Sequence, residues 1–420
     1  MSAPKKVNLI THRLDSIPTV QPLTFDISTA DRGGYERFYK ENGFVILTNV
    51  VSRPQRRAFV VELVKKVLHQ QPWKARFPFK VVDPVTNAEL DIDRDTDRYL
   101  ELLLSRNLLR SFIKALKEAG PAHTGFGAPC DNSSFQNDSV NAIRQDPRLY
   151  DAAAQLVGHL QLWNDVNRCI WKLPGEGQEE FMHLDVNPFE EGEPATAISG
   201  KVCITDSWFL CAPGTHTKEF HARFRVAYRE LYPNFKPKEP KFALDPEKPD
   251  PEDIYGKFVA LAIPEGSIIF WSDRLFHGVR KSPIDSHIQV GMYLGYMTAV
   301  DRPEYLAKAG IAERDDRIRS WREGLAPKLY PSLDPVYYMP KRFLNFPHIM
   351  EAYARKIPAG HPAVTTRVMK SGSKKGQRVV HLVQTDSSSG EEKRLSTDLP
   401  YTPYPLSSLG RKLLGLDPWV

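Results

Sequence analysis

Six short apolar runs between Leu160 and Met297 restrict the fold of this chain more than any other feature of its sequence. They are rich in β-branched and aromatic residues, and turns containing Gly and Pro separate them. The runs are Val166–Leu173, Lys201–Thr205, Trp208–Ala212, Phe258–Ile263, Ser267–Trp271 and Ile288–Met297. Short strands with turns of this kind favour an antiparallel sandwich or barrel. We therefore expect a mainly β core.

Helical patterns flank these runs. Tyr35–Glu41 has helical spacing, Gly43–Leu47 reads as a buried strand, and a helix opens at Ser52 or Pro54 and continues to about Leu68. Further helices are predicted over Tyr99–Leu104, Leu108–Ala119, 146–160 and 217–232, and a β-hairpin over 364–395.

This order predicts three parts. An N-terminal arm covers 1–33, and a main domain covers 34–300 with a Pro/Lys-rich insert at about 233–256. An extension of helices and a hairpin, packed on the core, covers 301–420.

The composition favours a soluble globular protein, with 41% hydrophobic and 26% charged residues. The net charge of +6 is small for 420 residues and does not by itself indicate a nucleic-acid partner. Four cysteines without CxxC spacing predict reduced thiols. The chain has no apolar leader pattern and no run long enough for a bilayer, so we expect a cytoplasmic protein without a membrane partner. The sequence does not set the oligomeric state.

The segment FMHLDVNPF at 181–189 holds a possible metal site. His183 and Asp185 are two positions apart, so on an extended segment both side chains point to the same side. His277, just after the predicted strand Ser267–Trp271, is the best third ligand. Two histidines and one carboxylate form the facial triad of non-haem Fe(II) oxygenases, which leaves positions open for a 2-oxo acid and O₂. An HxD pair alone is more often a solvated turn than part of a metal site, and the later histidine at the end of another strand strengthens the metal interpretation.

Four segments, in order over about residues 35–297, resemble the phytanoyl-CoA dioxygenase-like (PhyH) family. They are FYKENGFVILTNVVSRPQRRAFVVELVKKV, WKLPGEG with HLD, KVCITDSWFLCAPGTHTKEF and PEGSIIFWSDRLFHG. The resemblance implies a double-stranded β-helix (jelly roll, cupin-like) with added helices, Fe(II), and 2-oxoglutarate as co-substrate. It also implies that His183, Asp185 and His277 are the iron ligands. The competing His216 and His221 flank a helix start, where we expect them to cap or pack.

The chain departs from the family pattern at the start of the last strand, where family members usually have an arginine that binds the far carboxylate of 2-oxoglutarate. That region reads SHIQVGMYLGY, with His287 and Gln289 near the expected position. Arg280 or His287 is predicted to take over this contact, and weak or lost 2-oxoglutarate binding is the remaining alternative. Lys172 matches a family lysine near the co-substrate, although a lysine at a sheet margin explains it equally well.

The leading hypothesis is an Fe(II)- and 2-oxoglutarate-dependent dioxygenase that hydroxylates an unactivated C–H bond of a small molecule and releases succinate and CO₂. The intact Asp185 favours hydroxylation over halogenation. Asn187 and Phe189 are predicted at the mouth of the substrate pocket. The alternatives are an oxygenase acting on nucleic acid or protein, and a non-catalytic jelly-roll binding protein.

Overall fold

The computed structural model describes a large part of the chain, as helices and strands joined by short loops. The described residues are 17–29, 31–68, 70–71, 79–119, 136–172, 182–189, 197–233, 242–245, 248–278, 288–299, 308–324, 364–368, 378–382, 396–397 and 402–419. Their helices are α1 (Arg32–Asn42), α2 (Arg53–Leu68), α3 (Thr96–Leu103), α4 (Arg106–Ala119), α5 (Asp138–Arg144), α6 (Pro147–Val157), α7 (Lys218–Tyr228), α8 (Lys308–Glu323) and α9 (Ser408–Leu414).

The strands belong mostly to two large sheets. In chain order they are β1 (Thr19–Val20), β2 (Phe25–Asp26), β3 (Phe44–Thr48), β4 (Gln70–Gln71), β5 (Leu162–Asn164), β6 (Cys169–Lys172), β7 (His183–Leu184), β8 (Ala197–Cys203), β9 (Ser207–Cys211), β10 (Phe242–Ala243), β11 (Val259–Ile263), β12 (Ser267–Ser272), β13 (His277–Gly278), β14 (Gln289–Tyr293), β15 (Tyr296–Thr298), β16 (Val364–Val368), β17 (Arg378–Leu382) and β18 (Ser396–Thr397).

The order of strands in the two sheets is that of a double-stranded β-helix. The larger sheet runs β2-β3-β12-β8-β14-β6, with β15 beside β8 and β5 beside β15. The smaller runs β1-β11-β9-β13-β7-β10. From β6 to β14 the chain crosses repeatedly between the sheets, and the core strands pair antiparallel. The predicted mainly β jelly roll with added helices is confirmed.

Alternation along the strands sets which side chains lie between the sheets. In β12, Ile268 and Phe270 join the cluster beneath the N-terminal helices. Ile269 and Trp271 face the other way, into the cluster between the sheets. This division follows from the period of two along a strand. The larger sheet is thus apolar on both faces, and its inner face forms one wall of the barrel interior.

The helices begin and end where the sequence supplies caps. The Asp31 side chain accepts a hydrogen bond from the Gly33 amide at the start of α1, and Gly43 ends that helix with φ of 79°. Thr217 caps α7 in the same way through the Phe220 amide. Helix α7 then covers the outer face of the smaller sheet with Phe220, Phe224 and Tyr228.

Several expectations meet the structure with small corrections. The helices predicted over 146–160 and 217–232 are shorter, at Pro147–Val157 and Lys218–Tyr228. The run Ile288–Met297 is two strands, since it breaks between Tyr293 and Tyr296, where Gly295 lies close to the Ile198 carbonyl oxygen. The predicted hairpin is present as the antiparallel pair β16–β17.

The insert at 233–256 is more than a loop, because its described residues include β10, which extends the smaller sheet beside β7. Cys169, Cys203 and Cys211 are buried, reduced thiols, as expected, and Cys130 lies outside the described residues. Within the described ranges, no helix combines the length and apolar character that a membrane crossing requires. The three-part division of the chain stays a prediction.

Candidate metal centre

Two adjacent strands of the smaller sheet bring the two predicted histidine ligands together. His183 lies in β7 and His277 in β13, and the antiparallel register places these residues directly opposite each other. Their ring centroids are 4.1 Å apart, and both residues are buried. Cross-strand neighbours on one face are the pairs that can share a ligand.

Asp185 completes the group from the turn after β7. Its carboxylate oxygens lie 3.8 Å from Nε2 of His183 and 3.4 Å from Nε2 of His277. One donor atom from each of the three residues falls within 4.8 Å of the others. The Asp185 amide donates to the Asp273 carbonyl oxygen at 3.1 Å, which fixes the turn that carries the carboxylate. The three residues therefore form a group that can hold a metal ion.

The tautomer of His277 suits a metal ligand. Its Nδ1 lies 2.9 Å from the Leu275 carbonyl oxygen, which can only accept, so Nδ1 carries the proton. The lone pair of Nε2 then points toward Asp185. A second ring nitrogen held by a carbonyl is the usual support of a metal-bound histidine.

Aromatic side chains enclose the group on the barrel side. The ring of Phe209 stacks on His277 with centroids 5.6 Å apart, and lies 4.7 Å from the ring of Trp271. Trp271 is itself 5.4 Å from the His277 ring. Such a shell keeps bulk water from one side of the group and strengthens electrostatic interactions within it.

Two buried polar contacts hold the segment that leads into His277. Thr215 Oγ1 donates to the Ala212 carbonyl oxygen at 2.7 Å and accepts from the Phe276 amide at 3.1 Å. His221 Nε2 lies 2.9 Å from the Arg274 carbonyl oxygen, and burial lowers the pKa of this imidazole to about 4. A neutral His221 therefore donates to Arg274, which agrees with the predicted packing role.

His216 packs as well, against the end of α1. Its Nε2 lies 3.1 Å from the Lys40 carbonyl oxygen, and burial lowers the pKa of the ring. His216 and His221 thus contact the backbone around the site, and the ligand group found among the described residues contains neither of them.

The residues predicted for the substrate pocket lie just beyond Asp185. Asn187 is buried, and its Oδ1 accepts from the Phe189 amide at 2.9 Å. Phe189 packs in the aromatic cluster under α7, with centroids 5.8 Å from Phe224 and 5.7 Å from Phe242. The structure thus gives Phe189 a packing role, and a role in choosing a substrate stays a prediction.

Of the residues predicted to contact the co-substrate, the structure describes Lys172. Lys172 ends β6, where it pairs with Gln289 at the start of β14. Arg280 and His287 lie outside the described residues.

Sequence reasoning missed a polar group between the sheets, formed by Lys201, Ser207 and Gln289. Lys201 Nζ donates to Ser207 Oγ, and the Ser207 hydroxyl donates to Gln289 Oε1 at 2.8 Å. The sequence did contain one indication of this group. Lys201 begins the apolar run Lys201–Thr205, and it is two positions from Cys203, so both side chains lie on the face between the sheets.

No family model matches the chain, and no curated protein matches it either. Solved structures are similar to it in part. The epimerase SnoN, in complex with Fe3+, alpha ketoglutarate and nogalamycin RO, is 14% identical, with a TM-score of 0.37 over 64% of this chain and 84% of SnoN. The alpha ketoglutarate dependent carbocyclase SnoK from nogalamycin biosynthesis is also 14% identical, with a TM-score of 0.38 over 66% of this chain and 88% of SnoK.

EctD from S. alaskensis is 17% identical, with a TM-score of 0.35 over 68% of this chain and 84% of EctD. Similarity at these values is too low to support an assignment. The fold therefore stands on the strand order, and the function must be argued from the site itself.

Proposed function

We propose that this protein is an Fe(II)- and 2-oxoglutarate-dependent dioxygenase of the PhyH type that hydroxylates a small molecule. The observation that carries the proposal is the buried group of His183, Asp185 and His277, whose donor atoms lie within 4.8 Å of one another. Two imidazoles and one carboxylate are the donor set of non-haem iron oxygenases.

The donor set fits Fe(II) in chemistry as well as in number. Both histidines direct Nε2 toward the Asp185 carboxylate. His183, Asp185 and His277 would hold Fe(II) and leave room for a 2-oxo acid and O₂. Bound there, the iron would supply the oxidising chemistry for an unactivated C–H bond, with one oxygen atom of O₂ going to the substrate as a hydroxyl group and the other to succinate, which forms from 2-oxoglutarate with loss of CO₂.

The protein's part is to hold and shield this group. The Leu275 carbonyl fixes the tautomer of His277, and the Asp273 carbonyl holds the Asp185 turn. Phe209 and Trp271 cover the barrel side, which limits access of water to the reacting atoms. Substrate is therefore expected to approach from the side away from these rings.

The finer assignments belong to the same proposal. Asp185 supplies a carboxylate ligand, which leaves no ligand position for halide on the protein side and favours hydroxylation over halogenation. Arg280, His287 and Lys172 are candidate contacts of 2-oxoglutarate, and Asn187 is a candidate for the pocket rim. The modest charge of the chain favours a small-molecule substrate over nucleic acid.

The test is an anaerobic titration of the protein with Fe(II) and then 2-oxoglutarate, followed by visible charge-transfer absorption. Succinate release on exposure to air is measured in the same samples. Wild-type protein should give both signals, and His183→Ala should lose both. His216→Ala is the matched control, because that histidine lies outside the group and should keep them. A wild-type protein that binds iron but gives neither signal would refute the assignment.

A further inference from the structure

Lys201 is a buried lysine in the interior of the barrel. It stands in the middle of β8, opposite Ile269 of β12 and Tyr293 of β14, and only 5% of its surface is exposed. Its side chain crosses from the larger sheet to the smaller one, since Nζ reaches Ser207 at the start of β9. Lysine is almost never fully buried unless it is paired.

The pairing of this ammonium is incomplete. Within the described residues its hydrogen-bond partner is the Ser207 hydroxyl, and no carboxylate there forms an ion pair with it. Burial lowers the pKa of Lys201, with a smaller opposing effect from Cys203. A buried cation with one neutral partner is costly, and a bound anion removes that cost.

The ammonium lies on the same inner wall as the metal centre. Ser207 and Phe209 are two positions apart on β9 and share its inner face, which separates them by about 7 Å. Phe209 stacks on His277 at 5.6 Å. The Lys201 contact and the ring that stacks on His277 therefore line the same wall of the barrel interior.

A second donor lines the same space. Trp271 Nε1 is buried and has no hydrogen-bond partner among the described residues. Trp271 is the diagonal neighbour of Lys201 in the larger sheet, because β12 and β8 pair Trp271 with Ser199 and Ile269 with Lys201. A buried donor beside His277, without a partner in the described part of the chain, is placed to bind an acceptor group of a ligand.

We infer that Lys201 binds the distal carboxylate of the 2-oxo acid, with Ser207 and Gln289 orienting its ammonium. This inference rests on the proposed function. Gln289 stands near the position of the missing family arginine, and Ser207 connects it to Lys201. The cation thus comes from β8 instead of β14, and it makes the site selective for dicarboxylic 2-oxo acids.

The inference is tested by comparing two 2-oxo acids that share the chelating end. Anaerobic Fe(II) protein is titrated with 2-oxoglutarate and with 2-oxobutyrate, which lacks the distal carboxylate, and dissociation constants are read from the charge-transfer absorption. Lys201→Met, a substitution of similar length and apolar character, should weaken 2-oxoglutarate about 10- to 100-fold. The same substitution should change the dissociation constant of 2-oxobutyrate by less than about threefold. Lys201→Arg should recover part of the lost affinity for 2-oxoglutarate.

Controls separate this inference from the proposed function. Fe(II) affinity and the melting temperature are measured for every variant, so that a folding defect is recognised. Arg280→Gln and His287→Gln are titrated beside Lys201→Met, because both residues are candidates for the same carboxylate contact. The inference is overturned if Lys201→Met loses affinity for both 2-oxo acids equally. It is also overturned if Arg280→Gln or His287→Gln, instead of Lys201→Met, loses affinity for 2-oxoglutarate alone. Either result leaves the proposed function standing. If the wild-type protein binds neither 2-oxo acid, both the inference about Lys201 and the proposed function are refuted.

Discussion

Thr215 offers a direct measure of how the segment before His277 is held. Its hydroxyl donates to the Ala212 carbonyl oxygen and accepts from the Phe276 amide, and the side chain is buried. Thr215→Val replaces the hydroxyl with a methyl group of the same shape, so the Phe276 amide is left without an acceptor. An unsatisfied buried donor costs about 1–3 kcal/mol. The added apolar burial offsets this by roughly 0.8 kcal/mol at most.

The middle of that range less the full offset predicts that Thr215→Val lowers the free energy of unfolding by about 1.2 kcal/mol. Urea unfolding of the metal-free protein, with linear extrapolation to water, measures this. Because Phe276 precedes His277, Fe(II) affinity should fall as well, by on the order of tenfold. Thr215→Ser keeps the hydroxyl and is the control, with metal affinity unchanged. A Thr215→Val protein within about 0.5 kcal/mol of wild type, with unchanged metal affinity, would refute this account of the segment.

Two further predictions concern other buried groups. The folded-state pKa of His221, about 4, lies below the unfolded value near 6.5, so the unfolded state takes up the proton first as the pH falls. The free energy of unfolding should then fall between pH 6.5 and 4 by up to about 1.4 kcal/mol per pH unit. Urea unfolding across this range measures it, and His221→Gln should show a smaller dependence of the free energy on pH. Arg317 is buried and donates to the Leu413 carbonyl oxygen at 2.9 Å and to Asn164 Oδ1 at 3.2 Å. Arg317→Met should lower the free energy of unfolding by about 3 kcal/mol and speed amide hydrogen exchange in α9. An unchanged exchange rate in α9 would contradict the view that Arg317 holds this helix in place.

The parts of the fold that sequence predicted are those that depend on local spacing. Strand alternation, the turns that contain Gly and Pro, and the HxD spacing are short-range features. In one of these turns, at residues 264–266, Gly266 has a positive φ of 74°. Ile288–Met297 was predicted as one strand because its apolar character is continuous. At the break, a Cβ on Gly295 would lie 2.9 Å from the Ile198 carbonyl oxygen of another strand, and local spacing does not contain such a close approach.

The interior polar group escaped prediction for the same reason. Lys201, Ser207 and Gln289 come from three strands, so the group forms only when the sheets assemble, and the lysine in an apolar run is its single trace in the sequence. Phe189 shows the opposite case. Its nearness to Asp185 in sequence suggested a pocket position, but its ring packs against Phe224 and Phe242, which come from α7 and the insert.

The two strands that carry the histidines are the shortest of the smaller sheet's central part. β7 and β13 have two residues each, and the register between them is the single pair His183 and His277. Within the described residues this one pair joins the two strands, so a metal ion bound by both histidines would cross-link them at that point. In the proposed metal-bound protein, the ion would then stabilise the part of the sheet that supplies its ligands, and its removal would lower the stability of that part first.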